Sequence, residues 1–262
     1  MRIQTALLFI LPLFTSCQSP TPVNTLHPAA AQASANINPY AVIGDIPLPT
    51  GFHRMTVDKN SFGAWLRKFP LKKDKTVYLY DGRLKDDQTV QFAVLDISTG
   101  HKDLQQCADA IMRLRSEYFY GQGKFAEIDF ADNNHKHYKL LTGSNRAAFD
   151  KYLEKVFAAC GTLSLEKQLV PEKRLDYMEP GDVFIRGGSP GHAMLVADVA
   201  INDKGEKIFL LLQGFMPAQD VHIVVNPKEP TLSPWYRVSD NRLIETPEFT
   251  FIYSQLRSWP LH

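Results

Sequence analysis

Residues 179–199 constrain the fold most, because two apolar runs flank a loop of glycine, serine and proline. Val183–Ile185 is short, β-branched and aromatic, which predicts a buried strand. The loop Gly187–Gly191 excludes regular structure and lets the backbone come close to a neighbouring element. His192 begins the second apolar run, which we predict to be a strand that ends near Ile201. A histidine therefore begins a buried strand beside a glycine-rich loop.

A second polar side chain is predicted to share a face of the sheet with His192. Residues 202–205 have the composition of a turn, and Lys207–Gln213 is the next predicted strand. Directly opposite residues of an antiparallel pair have their side chains on the same face. A turn of even length places Gln213 on the face of His192, within hydrogen-bonding range. A turn of odd length, or a bulge at Gly205, would point Gln213 away.

The segment Asp103–Tyr118 has the strongest helical pattern in the chain, with Asp103 as the predicted N-cap and Gln106 completing a capping box. Cys107 then lies in or next to the first turn. Free N–H groups and the positive end of the helix dipole stabilise a thiolate there, so we expect a lowered pKa for Cys107. The alternative is a structural role, because Cys107 also lies on the apolar stripe of this helix.

The chain contains two further cysteines, Cys17 near the N-terminus and Cys160. Asn145–Cys160 has a helical pattern, with Asn145 as the predicted N-cap and Gly161 as the stop signal. Cys160 lies on the apolar stripe of this helix, which predicts an inert core thiol. In an oxidising compartment, a disulfide between Cys107 and Cys160 is the alternative.

The N-terminus has the pattern of an export signal. Met1-Arg2 is a positive start, and residues 6–14 are apolar but too few to span a bilayer. Cys17 follows, and its segment resembles the lipobox of bacterial lipoproteins. We therefore predict a signal peptide over residues 1–17, with lipidation of Cys17 as a membrane anchor. The predicted location is the cell envelope, facing the periplasm or the exterior.

Beyond the anchor, residues 18–39 are rich in proline and alanine, which predicts a flexible tether. We predict a single α+β domain over residues 40–262. The formal net charge of +1 gives no bulk electrostatic case for binding nucleic acid. No cofactor is predicted, and His135 and His137 have no carboxylate or cysteine set at ligand spacing, so no metal site is predicted either.

The remaining apolar patterns predict one helix and several short strands. Residues 58–70 have helical spacing. We expect strands at residues 76–80 and 89–97 to form a hairpin, and a last strand at residues 249–253 to close the sheet. Two more strands are predicted, at residues 138–141 and 221–225.

The order of these features, a helix with a cysteine and then strands with a histidine and a glutamine, resembles that of papain-like cysteine peptidases. The chain is similar in particular to compact cell-wall peptidases of the NlpC kind and to CHAP amidases, over about residues 104–225. The segment from Pro180-Gly181-Asp182-Val183 to Gly191-His192-Ala193 is the most specific point of likeness. The resemblance implies a papain-like α+β fold in which N-terminal helices pack against an antiparallel β-sheet.

The resemblance also implies site residues and an activity. Cys107 would be the nucleophile, His192 the base and Gln213 the group that fixes the imidazole. The implied activity is that of a lipid-anchored thiol hydrolase of amide bonds, with peptidoglycan peptides as the substrate class. Gln106 departs from the pattern, because the peptidases usually have an Asp-Cys pair at the nucleophile. Gln105 and the Cys107 N–H are the candidate oxyanion donors.

Two other interpretations remain open. The chain also looks like a family of exported bacterial proteins of unknown function, on residues 105–115 and 187–193, which implies a single domain and no particular reaction. The alternative function is a non-catalytic binding or scaffolding lipoprotein on a degenerate papain-like fold.

Overall fold

The structure is a computed structural model that describes residues 36–171, 175–237 and 242–260. Cys17, the predicted signal peptide and most of the predicted tether lie outside these residues. None of the helices in the described ranges is long and apolar enough to cross a bilayer. These ranges contain the α-helices α1 (Phe62–Arg67), α2 (Cys107–Gly121), α3 (Arg146–Ala159) and α4 (Thr162–Gln168).

Short strands make up most of the remaining regular structure. They are β1 (Phe52–Arg54), β2 (Gln91–Val94), β3 (Asp129–Ala131), β4 (His137–Lys139), β5 (Val170–Pro171), β6 (Val183–Arg186), β7 (His192–Asn202), β8 (Lys207–Gln213), β9 (His222–Val224), β10 (Tyr236–Arg237), β11 (Leu243–Glu245), β12 (Thr250–Ile252) and β13 (Leu256–Ser258). Short 3-10 helices lie at Ile43–Asp45, Phe125–Glu127, Leu175–Tyr177 and Tyr253–Gln255.

One large antiparallel sheet organises the fold, in the strand order β2-β9-β8-β7-β6-β13-β5. Strand β7 is central: β6 pairs with its beginning, β1 with its end, and β8 along most of its length. β10 pairs with β8 beside β9. The predicted α+β class with a large antiparallel sheet and a few helices is therefore confirmed.

The two faces of the sheet are covered by different layers. On one face, Ala193 and Leu195 of β7 pack with Ile111 and Leu114 of α2 in the larger core cluster. On the other face, Met194 and its neighbours pack against the β11–β12 hairpin in a second cluster. Both clusters need apolar residues, so β7 is buried at every residue from His192 to Ala200 and shows no polar alternation.

A β-bulge in β7 decides which face Gln213 occupies. The turn after Asn202 contains three residues, because the Asn202 N–H donates to the carbonyl oxygen of Glu206. A turn of that length would point Gln213 to the face opposite His192. Further along, Val196 pairs with Leu211 but Asp198 pairs with Leu210, so one extra residue lies between them in β7. The bulge reverses the alternation and returns Gln213 to the His192 face.

Asp198 anchors the bulge with a buried ion-pair cluster. Its carboxylate accepts from the Nε atoms of Arg54 and Arg67, at 2.8 Å and 2.6 Å. It also accepts from the Val199 N–H at 2.8 Å. The Asp198 side chain is fully buried. Because Arg54 lies on β1 and Arg67 on α1, this one carboxylate ties both elements to the bulged strand.

The predicted hairpin of residues 76–80 and 89–97 is wrong. β2 pairs with β9, which lies far along the chain. Residues 76–80 form isolated bridges to Leu84 and Gln219 in place of a strand, and the Tyr78 N–H donates to the carboxylate of Asp220. Residues 76–80 are therefore hydrogen-bonded to the loop before β9, and not to residues 89–97 as predicted.

The prediction that residues 249–253 close the sheet is also wrong. β12 pairs with β11 in a separate two-stranded sheet, and β13 pairs with β6 in the main sheet. Phe251 is the buried residue of β12, whereas Thr250 and Ile252 are exposed. Only one face of β12 is buried, so this strand lies at the surface and covers the second cluster.

Candidate active site

Cys107 is the first residue of α2, so its thiol lies at the helix start. The prediction of Asp103 as N-cap is wrong. Gln106 is the N-cap, and the Asp109 carboxylate accepts its backbone N–H at 3.1 Å. Residues 103–106 stay outside the helix because Leu104 and Gln106 donate to carbonyl oxygens only two residues back. Asp103 accepts instead from the side chain of Gln106 and from the Ala218 N–H.

The helix start lies against the end of β8 at Gly214. A Cβ at Gly214 would be 2.8 Å from the Gln106 carbonyl oxygen and 2.9 Å from the Cβ of Ala110. Only glycine allows this approach. Because Gly214 directly follows Gln213, the same contact brings Cys107 to the end of the sheet that carries His192.

A cavity of about 450 Å³ lies at this junction. Cys107 and His192 both line it, and Cys107 is partly exposed. The backbone N–H of Ala193, the residue after His192, is near enough to favour the Cys107 thiolate. The other walls come from the glycine-rich loop, residues 188–191, and from the junction of α3 and α4. The fold therefore brings the predicted cysteine and histidine to one cavity.

Gln213 fixes the tautomer of His192. Its Oε1 lies 2.8 Å from the His192 Nε2. Its Nε2 lies 2.6 Å from a carboxylate oxygen of Glu248, and a carboxylate can only accept. The amide oxygen therefore faces His192, whose Nε2 must carry the proton. Nδ1 is left as the unprotonated nitrogen, and it makes no hydrogen bond to any residue that the structure describes.

His222 takes the second proton of the Gln213 amide. The Nδ1 of His222 donates to the carbonyl oxygen of Asp220 at 2.9 Å, so its Nε2 is an acceptor. That Nε2 lies 3.2 Å from the Nε2 of Gln213. Burial holds the pKa of His222 below its ordinary value, which keeps the ring neutral and able to accept. All the strong hydrogen-bonding groups of the Gln213 amide are thus used, and the amide cannot flip without losses.

Lys85 completes the network. Its ammonium pairs with the other carboxylate oxygen of Glu248, and it lies 5.5 Å above the ring of Phe215. Sequence reasoning missed Glu248, Lys85 and His222 because they come from separate loops and strands. His222 had one usable signal: it begins β9, where it lies directly opposite Gln213.

A family model described as a domain of unknown function, DUF4846, matches residues 43–142 and 131–258. The chain belongs to this family. No curated protein and no solved structure matches the chain. The matched residues of the DUF4846 domain include Cys107, His192, Gln213 and Glu248, while the family description assigns no activity.

The imidazole of this DUF4846 domain lies in an aromatic setting. The rings of Phe215, Phe249 and Phe251 have centroids 5.1, 5.2 and 5.9 Å from that of His192. Burial lowers the pKa of His192 to about 4, and the hydrogen bond that its Nε2 donates to Gln213 offsets this only in part. His192 is therefore a neutral base at neutral pH.

The expectation of a lowered pKa at Cys107 is wrong. Burial raises the pKa of the thiol to about 11, although the backbone N–H groups of Ala108 and Ala193 favour the thiolate. A helix start stabilises an exposed charge by only about 0.3–1 kcal/mol, which is less than the usual cost of desolvating one. Cys107 and His192 are therefore both neutral at neutral pH.

Cys160 lies at the same cavity but has a different setting. It directly follows α3, whose N-cap is Asn145 as predicted, because the Asn145 side chain accepts the Ala148 N–H. Cys107 and Cys160 are both free thiols, so the disulfide alternative is wrong. Burial raises the pKa of Cys160 to about 11 as well.

His137 lies on the surface, where its Nδ1 contacts the carboxylate of Asp129 at 3.0 Å. In the described ranges, no group of three or more histidine, cysteine or acidic side chains could hold a metal ion.

We expect the His192 ring to stay neutral as the pH falls to about 4, against an ordinary value of 6.5, because burial disfavours its charged form. Imidazole nitrogen NMR through a pH titration measures this directly. The same spectra should show the proton on Nε2 of His192 and on Nδ1 of His222, since their partners differ. A His192→Gln variant assigns the signals, and a midpoint near pH 6.5 for His192 would contradict the burial argument.

Proposed function

We propose that this DUF4846 protein is a thiol hydrolase of amide bonds on a papain-like scaffold. Cys107 is the nucleophile, His192 the base and Gln213 the residue that positions the imidazole. One observation supports the proposal: a histidine whose tautomer leaves Nδ1 unprotonated lines the same cavity as a helix-start cysteine. Thiol hydrolysis needs this combination of nucleophile, base and orienting group.

The reaction follows from the protonation states. Because Cys107 and His192 are both neutral at rest, the thiol proton moves to Nδ1 as the sulfur attacks the substrate carbonyl carbon. The imidazolium then protonates the leaving amine from Nδ1, the C–N bond breaks, and a thioester remains on Cys107. Water attacks that thioester while His192 accepts its proton, and the acid leaves as the thiol is restored.

The start of α2 supplies the oxyanion donor. The backbone N–H of Cys107 belongs to the first turn and has no hydrogen-bond acceptor within the described part of the chain. It is therefore free to donate to the tetrahedral oxyanion, where the helix dipole adds to the stabilisation. We do not assign this role to Gln105, because it is buried and does not line the cavity.

Capture of the covalent intermediate tests the proposal. Full-length protein is mixed with alanine p-nitrophenyl ester, which keeps a free α-amine, then quenched in acid and measured by intact mass spectrometry with peptide mapping. We expect one alanyl group on Cys107 in the wild type and in Cys160→Ala, and none in Cys107→Ala. An acyl group on Cys160, or no acyl group at all, contradicts the assignment.

Intact mass spectrometry also tests the proposed location of the protein. We propose that the mature chain is held in the cell envelope by lipid on Cys17, which the export pattern of residues 1–17 supports. Protein recovered from membranes should then begin at Cys17 and carry the mass of its acyl chains. Peptidoglycan peptides are the proposed substrate class, because they are the amides accessible to an anchored envelope protein.

A second candidate function is non-catalytic binding on the same scaffold. The raised pKa of Cys107, caused by burial, favours it, because a neutral thiol is a weak nucleophile. This candidate predicts that the ester leaves no acyl group on Cys107 and that Cys107→Ala still binds cell-wall peptides. Acyl capture therefore separates the two functions.

A further inference from the structure

Asp109 is a buried carboxyl group that is only half satisfied. The residue is 6% exposed. One of its oxygens accepts the Gln106 N–H at 3.1 Å. The other oxygen, Oδ1, is buried and has no hydrogen-bond partner among the residues that the structure describes. A buried polar atom without a partner costs about 1–3 kcal/mol, so it needs an explanation.

Asp109 belongs to the candidate active site. Asp109 lines the same cavity as Cys107 and His192. It is close enough to interact electrostatically with the thiols of both Cys107 and Cys160. A ligand group that reached Oδ1 would therefore lie beside the sulfur proposed to react.

The side chains that line the cavity suit a cation better than an anion. Its described lining contains two carboxyl groups, Asp103 and Asp109, and no lysine or arginine. Asp109 forms no ion pair with a described residue. Phe157, Phe215 and Phe249 also line the cavity, and their ring faces attract cations. The site thus offers an unpaired acid in an apolar, aromatic setting.

We propose that Asp109 binds an ammonium group of the ligand, so that the cavity selects amides that carry a free amino group next to the bond at the Cys107 sulfur. A primary ammonium has three donors, which suits an acceptor that lacks a partner. Binding at the cavity is independent of turnover, whereas the statement about the bond to be cut rests on the proposed hydrolase function.

Other partners fit Oδ1 less well. A metal ion would need further ligands, and the described ranges contain no group of three metal-ligating side chains. Burial raises the pKa of Asp109 to about 8, against the effect of the Gln106 N–H, so the free site holds the acid mostly protonated at neutral pH. An arriving ammonium would stabilise its ionised form, which a neutral ligand group would not.

The amino group has two possible sources, an N-terminal α-amine or an amino side chain. Three peptide amides distinguish them: alanyl-alanine amide with a free α-amine, its N-acetyl derivative, and N-acetyl-lysyl-alanine amide with a side-chain amine. Binding is measured by calorimetry on Cys107→Ala protein, so that no peptide is consumed. We expect one of the two amines to bind at least about tenfold more tightly than the acetylated peptide, the scale of one ionic hydrogen bond.

Asp109→Asn in the same background should reduce that preference to within about twofold. Asparagine retains an acceptor for the Gln106 N–H, so the helix start is preserved. Asp103→Asn is the matched control, because Asp103 lies on the same cavity but its carboxylate already accepts two hydrogen bonds. This control should keep the preference.

Two results would overturn the proposal: equal binding of all three peptides, or an amine preference that survives in Asp109→Asn. If Asp109→Asn does not fold, the acetylation comparison on Cys107→Ala still decides the first of these. Selective binding without acyl capture on Cys107 would refute the hydrolase alone. Acyl capture without selectivity would refute the role of Asp109 alone.

Discussion

Cys107→Ala is expected to lower kcat/KM for peptide-amide hydrolysis by about 10⁴-fold or more, because it removes the sulfur that forms the thioester. The substitution removes one sulfur at a partly exposed position, so folding should be nearly unchanged. Release of amino groups from peptidoglycan fragments, followed by a fluorogenic amine reagent, measures the rate. Circular dichroism of the same samples checks that the loss is not a folding effect.

Cys160→Ala is the matched control for this prediction. Cys160 also lines the cavity, and burial also raises its pKa to about 11, yet it lies at the end of α3 and not at a helix start. We expect the rate of Cys160→Ala to stay within a few-fold of the wild-type rate. Equal losses in the two variants would mean that the cavity needs two thiols for its shape, and would refute a nucleophile at Cys107.

Asp198→Asn is expected to lower the free energy of unfolding by about 3 kcal/mol, the scale seen when one partner of a buried ion pair is removed. Asparagine keeps the shape of the side chain but leaves the guanidinium groups of Arg54 and Arg67 without a counter-charge. These arginine side chains are 25% and 17% exposed, so water recovers only part of the loss. Urea unfolding followed by tryptophan fluorescence measures the difference.

Asp203→Asn provides the comparison for the effect of an Asp-to-Asn change in itself. Asp203 lies in the exposed turn between β7 and β8, and its substitution should change the stability by less than about 0.5 kcal/mol. If Asp198→Asn costs no more than Asp203→Asn, the ion-pair cluster does not hold the bulged strand. Loss of the His192–Gln213 hydrogen bond in the imidazole spectrum of Asp198→Asn would link the cluster to the site.

The sequence predicted the parts of the fold whose signals are local. Lys207–Gln213 is a strand with the predicted bounds, since a glycine-containing turn and Gly214 bracket a continuous apolar run. α3 begins after its predicted N-cap, because the Asn145 side chain satisfies a backbone N–H. Strand partners are not local: the apolar pattern of residues 89–97 predicts a strand but does not specify that β9 is its neighbour.

The candidate site shows the same difference between features with a local sequence signal and contacts between distant segments. The sequence predicts a contact between His192 and Gln213 only for a turn of even length. The turn is odd, yet the two side chains are hydrogen-bonded, because the bulge in β7 restores the alternation. The pKa of Cys107 was predicted in the wrong direction, since its desolvation depends on walls that distant segments supply. Glu248 and Lys85 had no local signal at all.

The bulge of β7 has a consequence for anyone who re-engineers this hairpin. Two irregularities, the three-residue turn and the extra residue in β7, cancel each other at Gln213. Removing one residue from the turn, or the extra residue from β7, would point the Gln213 side chain to the face that packs against the helices. Removing one residue at both places would keep Gln213 on the face of His192. Insertions and deletions in this region are therefore tolerated in pairs, and homologous chains should show matched length changes at the two places.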